Sequence, residues 1–240
     1  MISETTFSSV RSLPVMEAFY TIQGEGFHQG KAAYFIRLGG CDVGCTWCDV
    51  KESWDASAHP LRKVSEIAAE AKKFPGRIAV ITGGEPLMHD CLPLTRELHA
   101  AGFHTHIETS GAYPLSGEWD WICLSPKKFK QPLPGPVEHA DELKVVIYHP
   151  SDFKWAESFA EKVKPGCKLF LQPEWSKRET VIPMISLLRQ ISSRLCVLEW
   201  HKVTVQFPGL LFALSRMLIG RPTILLLPIT AADLPLVTIL

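Results

Sequence analysis

The sequence predicts an α/β fold, a partial and open βα barrel, on three observations. Short β-branched runs alternate with helical stripes; the runs are apolar almost throughout; and they are too few to close a ring. Strand-like segments fall at 34–38, 78–82, 104–108, 121–125, 143–148 and 168–172. Strands this apolar are covered on both faces, which is how parallel strands joined by crossover helices are buried. A closed eight-unit barrel takes about 250 residues, and only about six or seven strands are legible here.

The elements follow in order. Segment 34–38 runs directly into a cysteine-rich turn. Val64, Ile67, Ala68 and Ala71 recur at the i, i+3, i+4, i+7 spacing of an amphipathic helix. Segment 78–82 leads into Thr82-Gly-Gly-Glu-Pro86, and helical patterns follow at 92–101 and 152–164. Segment 131–136, with three prolines, reads as an ordered loop. If the strands are parallel, the loops after them share one rim. Segments 41–48, 83–86, 109–111 and 125–127 then converge there with Gln172.

A length of 240 residues suits one domain with a sizeable core, and 25 basic against 25 acidic side chains leave no net field for nucleic acid or an anionic membrane. A small-molecule substrate is expected. The first twelve residues lack the apolar core of a secretory signal, and no uncharged run reaches a membrane span. Seven cysteines, an odd number with three clustered, point to a reducing, cytoplasmic setting. Cys91, Cys123, Cys167 and Cys196 stand alone and read as buried free thiols.

Cys41, Cys45 and Cys48 are spaced Cys-x3-Cys-x2-Cys. A cubane [4Fe-4S] cluster takes four ligands, so three cysteines leave one iron open to a non-protein ligand, an arrangement for catalysis rather than electron storage. Zinc sites usually pair two Cys-x2-Cys or Cys/His halves, and no second half follows.

This cysteine loop, with Gly83-Gly-Glu-Pro86, resembles the radical S-adenosylmethionine (SAM) superfamily, whose fold is a partial βα barrel. Tyr20-Thr-Ile-Gln-Gly-Glu-Gly26, Phe35-Ile-Arg37, Glu108-Thr-Ser-Gly111, Ser125-Pro-Lys127, Leu143-Lys-Val-Val146 and Leu171-Gln-Pro173 place the likeness within its deazapurine-forming branch. The resemblance implies that the open iron holds SAM and that reductive cleavage yields a 5'-deoxyadenosyl radical. It further implies that Trp47, Asp49, Gly84, Glu85, Ser110, Ser125, Pro126, Lys127 and Gln172 line SAM. The implied substrate is 6-carboxy-5,6,7,8-tetrahydropterin, contracted to a carboxylated deazaguanine with loss of ammonia on the queuosine route. Ile22, Gln23 and Gly24 would read its pterin edge, Arg37 its carboxylate, and Thr82 would add a hydroxyl. A homodimer and a flavodoxin-like electron donor are implied as well. Magnesium is implied beside the substrate, yet Val50 stands where a hydroxyl ligand is expected. The competing expectations are a glycyl-radical activase, against which the Gln-Gly-Glu-Gly run and Arg37 speak, and a non-catalytic iron–sulfur protein, which lacks a fourth ligand.

The last fifth departs from the pattern. After residue 194, which divides a radical SAM domain (1–194) from an atypical tail (195–240), family-like sequence stops. From Val203 onward only Arg216, Arg221 and Asp233 are charged. A shifted reading frame is the expected origin, and an added hydrophobic segment for self-association is the alternative.

Overall fold

The structure, a computed structural model, describes residues 12–191 and the strand segments 195–197, 203–207 and 210–214, with side chains through residue 186. The strands are β1 (Ser12–Ile22), β2 (Ala32–Leu38), β3 (Leu61–Lys63), β4 (Ile78–Gly83), β5 (His104–Thr109), β6 (Trp121–Leu124), β7 (Glu142–Ile147), β8 (Lys168–Pro173), β9 (Leu195–Val197), β10 (Val203–Phe207) and β11 (Leu210–Leu214). The helices are α1 (Val64–Ala71), α2 (Leu92–Ala100), α3 (Pro134–His139), α4 (Asp152–Ala160) and α5 (Arg178–Ile191).

Nine strands form one open sheet in the order β3-β1-β2-β4-β5-β6-β7-β8-β9, and β10 and β11 pair separately. From β2 to β9 every pairing is parallel, as the apolar runs predict. The sheet is wider than the six or seven strands expected because β1 and β3 add an antiparallel edge. β1 was not read from the sequence: Glu17, Tyr20 and Thr21 interrupt its apolar pattern. β9 carries the sheet past the division expected at residue 194. Segment 131–136 is only partly loop, since α3 begins at Pro134, where a proline lacking an N–H costs the first turn nothing.

One face of each strand meets the helices. Tyr34, Ile36, Leu38, Ala79 and Ile81 pack against Ile67 and Ala68 of α1 and Leu94 and Leu98 of α2. The four-residue stripe read from α1 is buried in full. Leu124, Leu143, Val145 and Ile147 pack likewise against α4 and α5. Each buried Leu or Ile contributes about 1.5–3 kcal/mol by leaving water. Because side chains alternate along a strand, this packing turns the polar positions to the other, inner face. Arg37 of β2 pairs in register with Thr82 of β4, Glu108 of β5 with Cys123 of β6, and Val146 of β7 with Gln172 of β8.

Candidate active site

The cysteine loop begins where β2 ends. Gly40 takes a left-handed φ of 104°, a conformation open mainly to glycine, and the chain turns so that the Cys41 N–H donates to the Trp54 carbonyl at 3.1 Å. The Cys48 N–H returns to the Cys45 carbonyl at 3.2 Å, and Cys41, Cys45 and Cys48 are all free thiols. Burial pushes the Cys45 thiol up to about 11 against the pull of Lys127, and Cys41 upward as well. Loading iron therefore displaces protons from these thiols. Among the described residues no three His, Cys, Asp or Glu side chains converge on a single metal ion. A cubane distributes its thiolates over separate irons, so three soft donors spaced around a turn fit it better than they fit one ion.

The glycine-rich turn after β4 lies against that loop. A Cβ on Gly84 would stand 2.3 Å from the Gly40 carbonyl oxygen and 2.9 Å from the Cys41 Cβ, so only glycine fits. Glu85 is 1% exposed, and its carboxylate is consumed within the protein. It accepts from the Leu87 N–H at 3.0 Å, the Thr109 hydroxyl at 2.5 Å, the Ser110 N–H at 2.8 Å and the Ser110 hydroxyl. Glu85 and Ser110, two residues expected beside SAM, thus bind each other and lock the turns after β4 and β5.

A third segment, after β6, reaches over the cysteine loop. Lys127 donates to the Ser125 carbonyl at 2.7 Å and stands 5.8 Å above the Trp47 ring, which Phe129 meets edge-on at 6.2 Å. Lys130 pairs with Asp42 at 2.7 Å, and the Tyr113 hydroxyl donates to the same carboxylate at 2.5 Å. Ser125 and Pro126 are buried at the end of β6, while Asp49 is exposed. Segments of the expected rim therefore come together from four loops, those after β2, β4, β5 and β6.

The inner face holds a charged layer. Lys144 donates to Glu25 at 2.6 Å and to Glu108 at 3.3 Å, and the Gln23 amide donates to Glu108 at 3.0 Å. Gln172 approaches the other Glu25 oxygen at 3.5 Å. Gln23 and Glu25 belong to the segment between β1 and β2, so this loop closes the sheet's end opposite the cysteines. The nearer carboxylate, Glu25, is the one whose pKa is raised. Burial lifts it, Lys144 opposes, and the charges of Glu108 and Asp49 add to the lift. Glu108 is buried too, but Lys144, the Gln23 hydrogen bond and the Arg37 charge outweigh burial and hold it low. Lys144, although buried, is held well above its ordinary value by the two carboxylates.

Arg37 donates through Nε to Glu17 at 2.6 Å, and no described residue accepts from its terminal nitrogens. Thr82 is half-buried beside it, whereas Ile22 and Gly24 are exposed at the closed end, leaving Gln23 as the residue of that trio turned inward. Sequence reasoning missed Glu25, Glu108, Glu142 and Lys144 as site residues. The available signal was a charge inside an otherwise apolar strand, as in Leu143-Lys-Val-Val146. At Val50 the residues do not fit magnesium: the side chain has no oxygen, and the carbonyl accepts from the Ser53 N–H and hydroxyl.

An open βα sheet with a three-cysteine loop after its first parallel strand and a Gly-Gly-Glu-Pro turn after the next defines a radical SAM enzyme. Residues 35–125 match the profile described as the Radical SAM superfamily. The chain is 59% identical over 173 residues to the 7-carboxy-7-deazaguanine synthase of Flavobacterium psychrophilum, covering 72% of this chain and 82% of that one. It is 52% identical over 164 residues to the enzyme of the same name from Synechocystis, covering 68% and 79%. The crystal structure of QueE from Escherichia coli superposes with a TM-score of 0.69 at 30% identity, over 79% of this chain and 95% of that one. The chain belongs to the 7-carboxy-7-deazaguanine synthase family.

Proposed function

We propose that the chain converts 6-carboxy-5,6,7,8-tetrahydropterin to 7-carboxy-7-deazaguanine with loss of ammonia, in queuosine biosynthesis. The observation that carries this is the layer of Gln23, Glu25, Glu108 and Lys144 on the sheet's inner face, with Arg37 at its side. A [4Fe-4S] cluster on Cys41, Cys45 and Cys48, with SAM, supplies when bound a one-electron route to removing hydrogen from carbon. The protein binds, orients and shields.

The terminal nitrogens of Arg37 form a planar fork suited to the substrate carboxylate, while its Nε is anchored on Glu17. Gln23 and Glu108 offer the donor and acceptors that a pyrimidinone edge requires, and Thr82 adds a hydroxyl next to Arg37. Burial favours the protonated form of Glu25, whose Oε2 accepts from Lys144 while its Oε1 faces the Gln172 amide N–H. Trp47, Lys127 and Phe129 lie together over the cysteine loop, with Pro126 buried beside them. On the SAM side, Gly84 provides close backbone approach, and Asp49, Ser125 and Gln172 provide polar contacts. Glu85 and Ser110 act through the shape of the turns they lock. A site closed at the far end by charged side chains suits a small bicycle rather than the protein backbone of a glycyl-radical activase.

Val50 offers magnesium no side-chain oxygen, and its carbonyl is taken by Ser53. We further infer a homodimer, a flavodoxin-like reductant and a cytoplasmic setting; no helix among the described residues is long and apolar enough to cross a membrane. Anaerobic turnover of the cluster-loaded chain with SAM, a reductant and the carboxytetrahydropterin tests the reading. 5'-Deoxyadenosine and 7-carboxy-7-deazaguanine should rise together; deoxyadenosine without the deazaguanine would reject the assigned substrate.

A further inference from the structure

Against the Gln23–Glu25–Glu108 layer, toward the end closed by the β1–β2 loop, lies a small space. His28, Val80, His106, Trp121, Cys123 and Glu142 line it, and Gln23, Glu25 and Glu108 of the layer border it as well. Its volume is about 10 Å³, room for one water-sized particle and far too little for a bicyclic substrate.

The lining is short of partners. Both ring nitrogens of His28 are buried without a hydrogen bond. His106 is 6% exposed, forms no hydrogen bond with a described residue, and its ring lies 4.5 Å from that of His28. Burial, with the neighbouring His28, lowers His106 to about 4, so it is neutral and offers a lone pair. Glu142 is 3% exposed and accepts only neutral donors, the Phe27 N–H at 3.1 Å, the Trp121 indole at 3.2 Å and the Cys123 thiol at 3.6 Å, and burial raises its pKa. Lys144 is in contact with Glu25 and Glu108; its charge reaches Glu142 and opposes the effect of burial, but no cation is in contact with Glu142 among the described residues. A buried carboxylate with no cation in contact is costly.

The geometry points to an ammonium-binding site formed by His28, His106, Glu142 and the ring of Trp121. Two imidazole lone pairs, a carboxylate with no cation in contact and an aromatic ring are the complement of a small cation rich in N–H donors. The inference rests on the proposed reaction, which expels a ring nitrogen as ammonia just above this space. At neutral pH that ammonia takes up a proton, and the site would hold it on the closed side, away from the reacting ring.

Calorimetric titration of the cluster-loaded full chain with ammonium chloride, at constant ionic strength and without oxygen, tests it. Tetramethylammonium chloride carries the same charge but is too large, and potassium chloride reports attraction by charge alone. Saturable ammonium binding is expected, with no tetramethylammonium signal and at least about tenfold weaker binding in His106→Leu, the loss of one hydrogen bond to a charged group. Glu142→Gln, which removes the charge at constant shape, should weaken binding similarly and guards against misfolding of the first variant. Ammonium silence, unchanged affinity in both variants, or potassium binding as tightly as ammonium would overturn the inference. Turnover in the same preparation without ammonium binding would sink the inference alone. Ammonium binding without turnover would sink the proposed reaction and leave the site standing.

Discussion

Replacing Lys144 with methionine keeps the length of the side chain and removes the one cation shared by Glu25 and Glu108. The Lys144 side chain is 6% exposed and its partners 18% and 24%, so solvent cannot substitute for it. Breaking a buried pair by removing one partner costs about 3–5 kcal/mol, because the remaining charges stay buried. The pH dependence has a definite sign. In the native chain Lys144 is held well above its ordinary value, so its contribution is intact throughout the range below the ordinary lysine pKa. Glu108 is held low, so its contribution exists above the ordinary carboxyl range and is lost as pH falls through its folded value. Without Lys144, burial raises both carboxyls and the variant gains stability when they protonate. The gap between wild type and Lys144→Met should therefore be about 3–5 kcal/mol near pH 7 and narrow toward about pH 5. Urea unfolding of the two chains across that range measures it, and the triple variant with Glu25→Gln and Glu108→Gln should recover part of the loss. A neutral-pH difference below about 1 kcal/mol, or a gap that widens in acid, would refute the reasoning.

Three further outcomes follow from the turns around the cysteine loop. Gly84→Ala drives a Cβ into the Gly40 carbonyl and the Cys41 side chain, so it should cost about 1–3 kcal/mol and lower the iron retained per chain after reconstitution. Glu85→Gln turns an amide toward donors that a carboxylate accepts, leaving buried groups unmatched at a cost of about 1–3 kcal/mol; an unchanged melting temperature would contradict this. Asp42→Asn breaks the exposed contact with Lys130 and Tyr113, so loss of the cluster's visible absorbance under chelator should quicken about two- to fivefold at low salt and match wild type at high salt.

The parallel strands and α1 were legible because their patterns are local: apolar runs and an i, i+3, i+4, i+7 stripe need no partner to be recognised. β1 was not, because its inner-face residues Glu17 and Thr21 belong to a polar interior that resembles solvent in sequence. The cysteines and Gly84 declared themselves through spacing and through a contact that only glycine permits. Glu85 and Ser110, expected beside a ligand, bind each other across the turns after β4 and β5, a contact decided by how these two strands lie side by side. Glu25 and Lys144 are 119 positions apart, and their pairing depends on curvature that spacing cannot encode. The scarcity of charge beyond Val203 was visible in composition, but apart from three strand segments the residues beyond 191 lie outside those described.

The most direct measurement is turnover with substrate deuterated at C6, followed by mass spectrometry of the 5'-deoxyadenosine formed. Hydrogen removal from a substrate seated on Arg37, Gln23 and Glu108 predicts deuterium in deoxyadenosine, in step with 7-carboxy-7-deazaguanine. Unlabelled deoxyadenosine accompanying the same product would contradict the central claim that this interior presents the C6 hydrogen for removal.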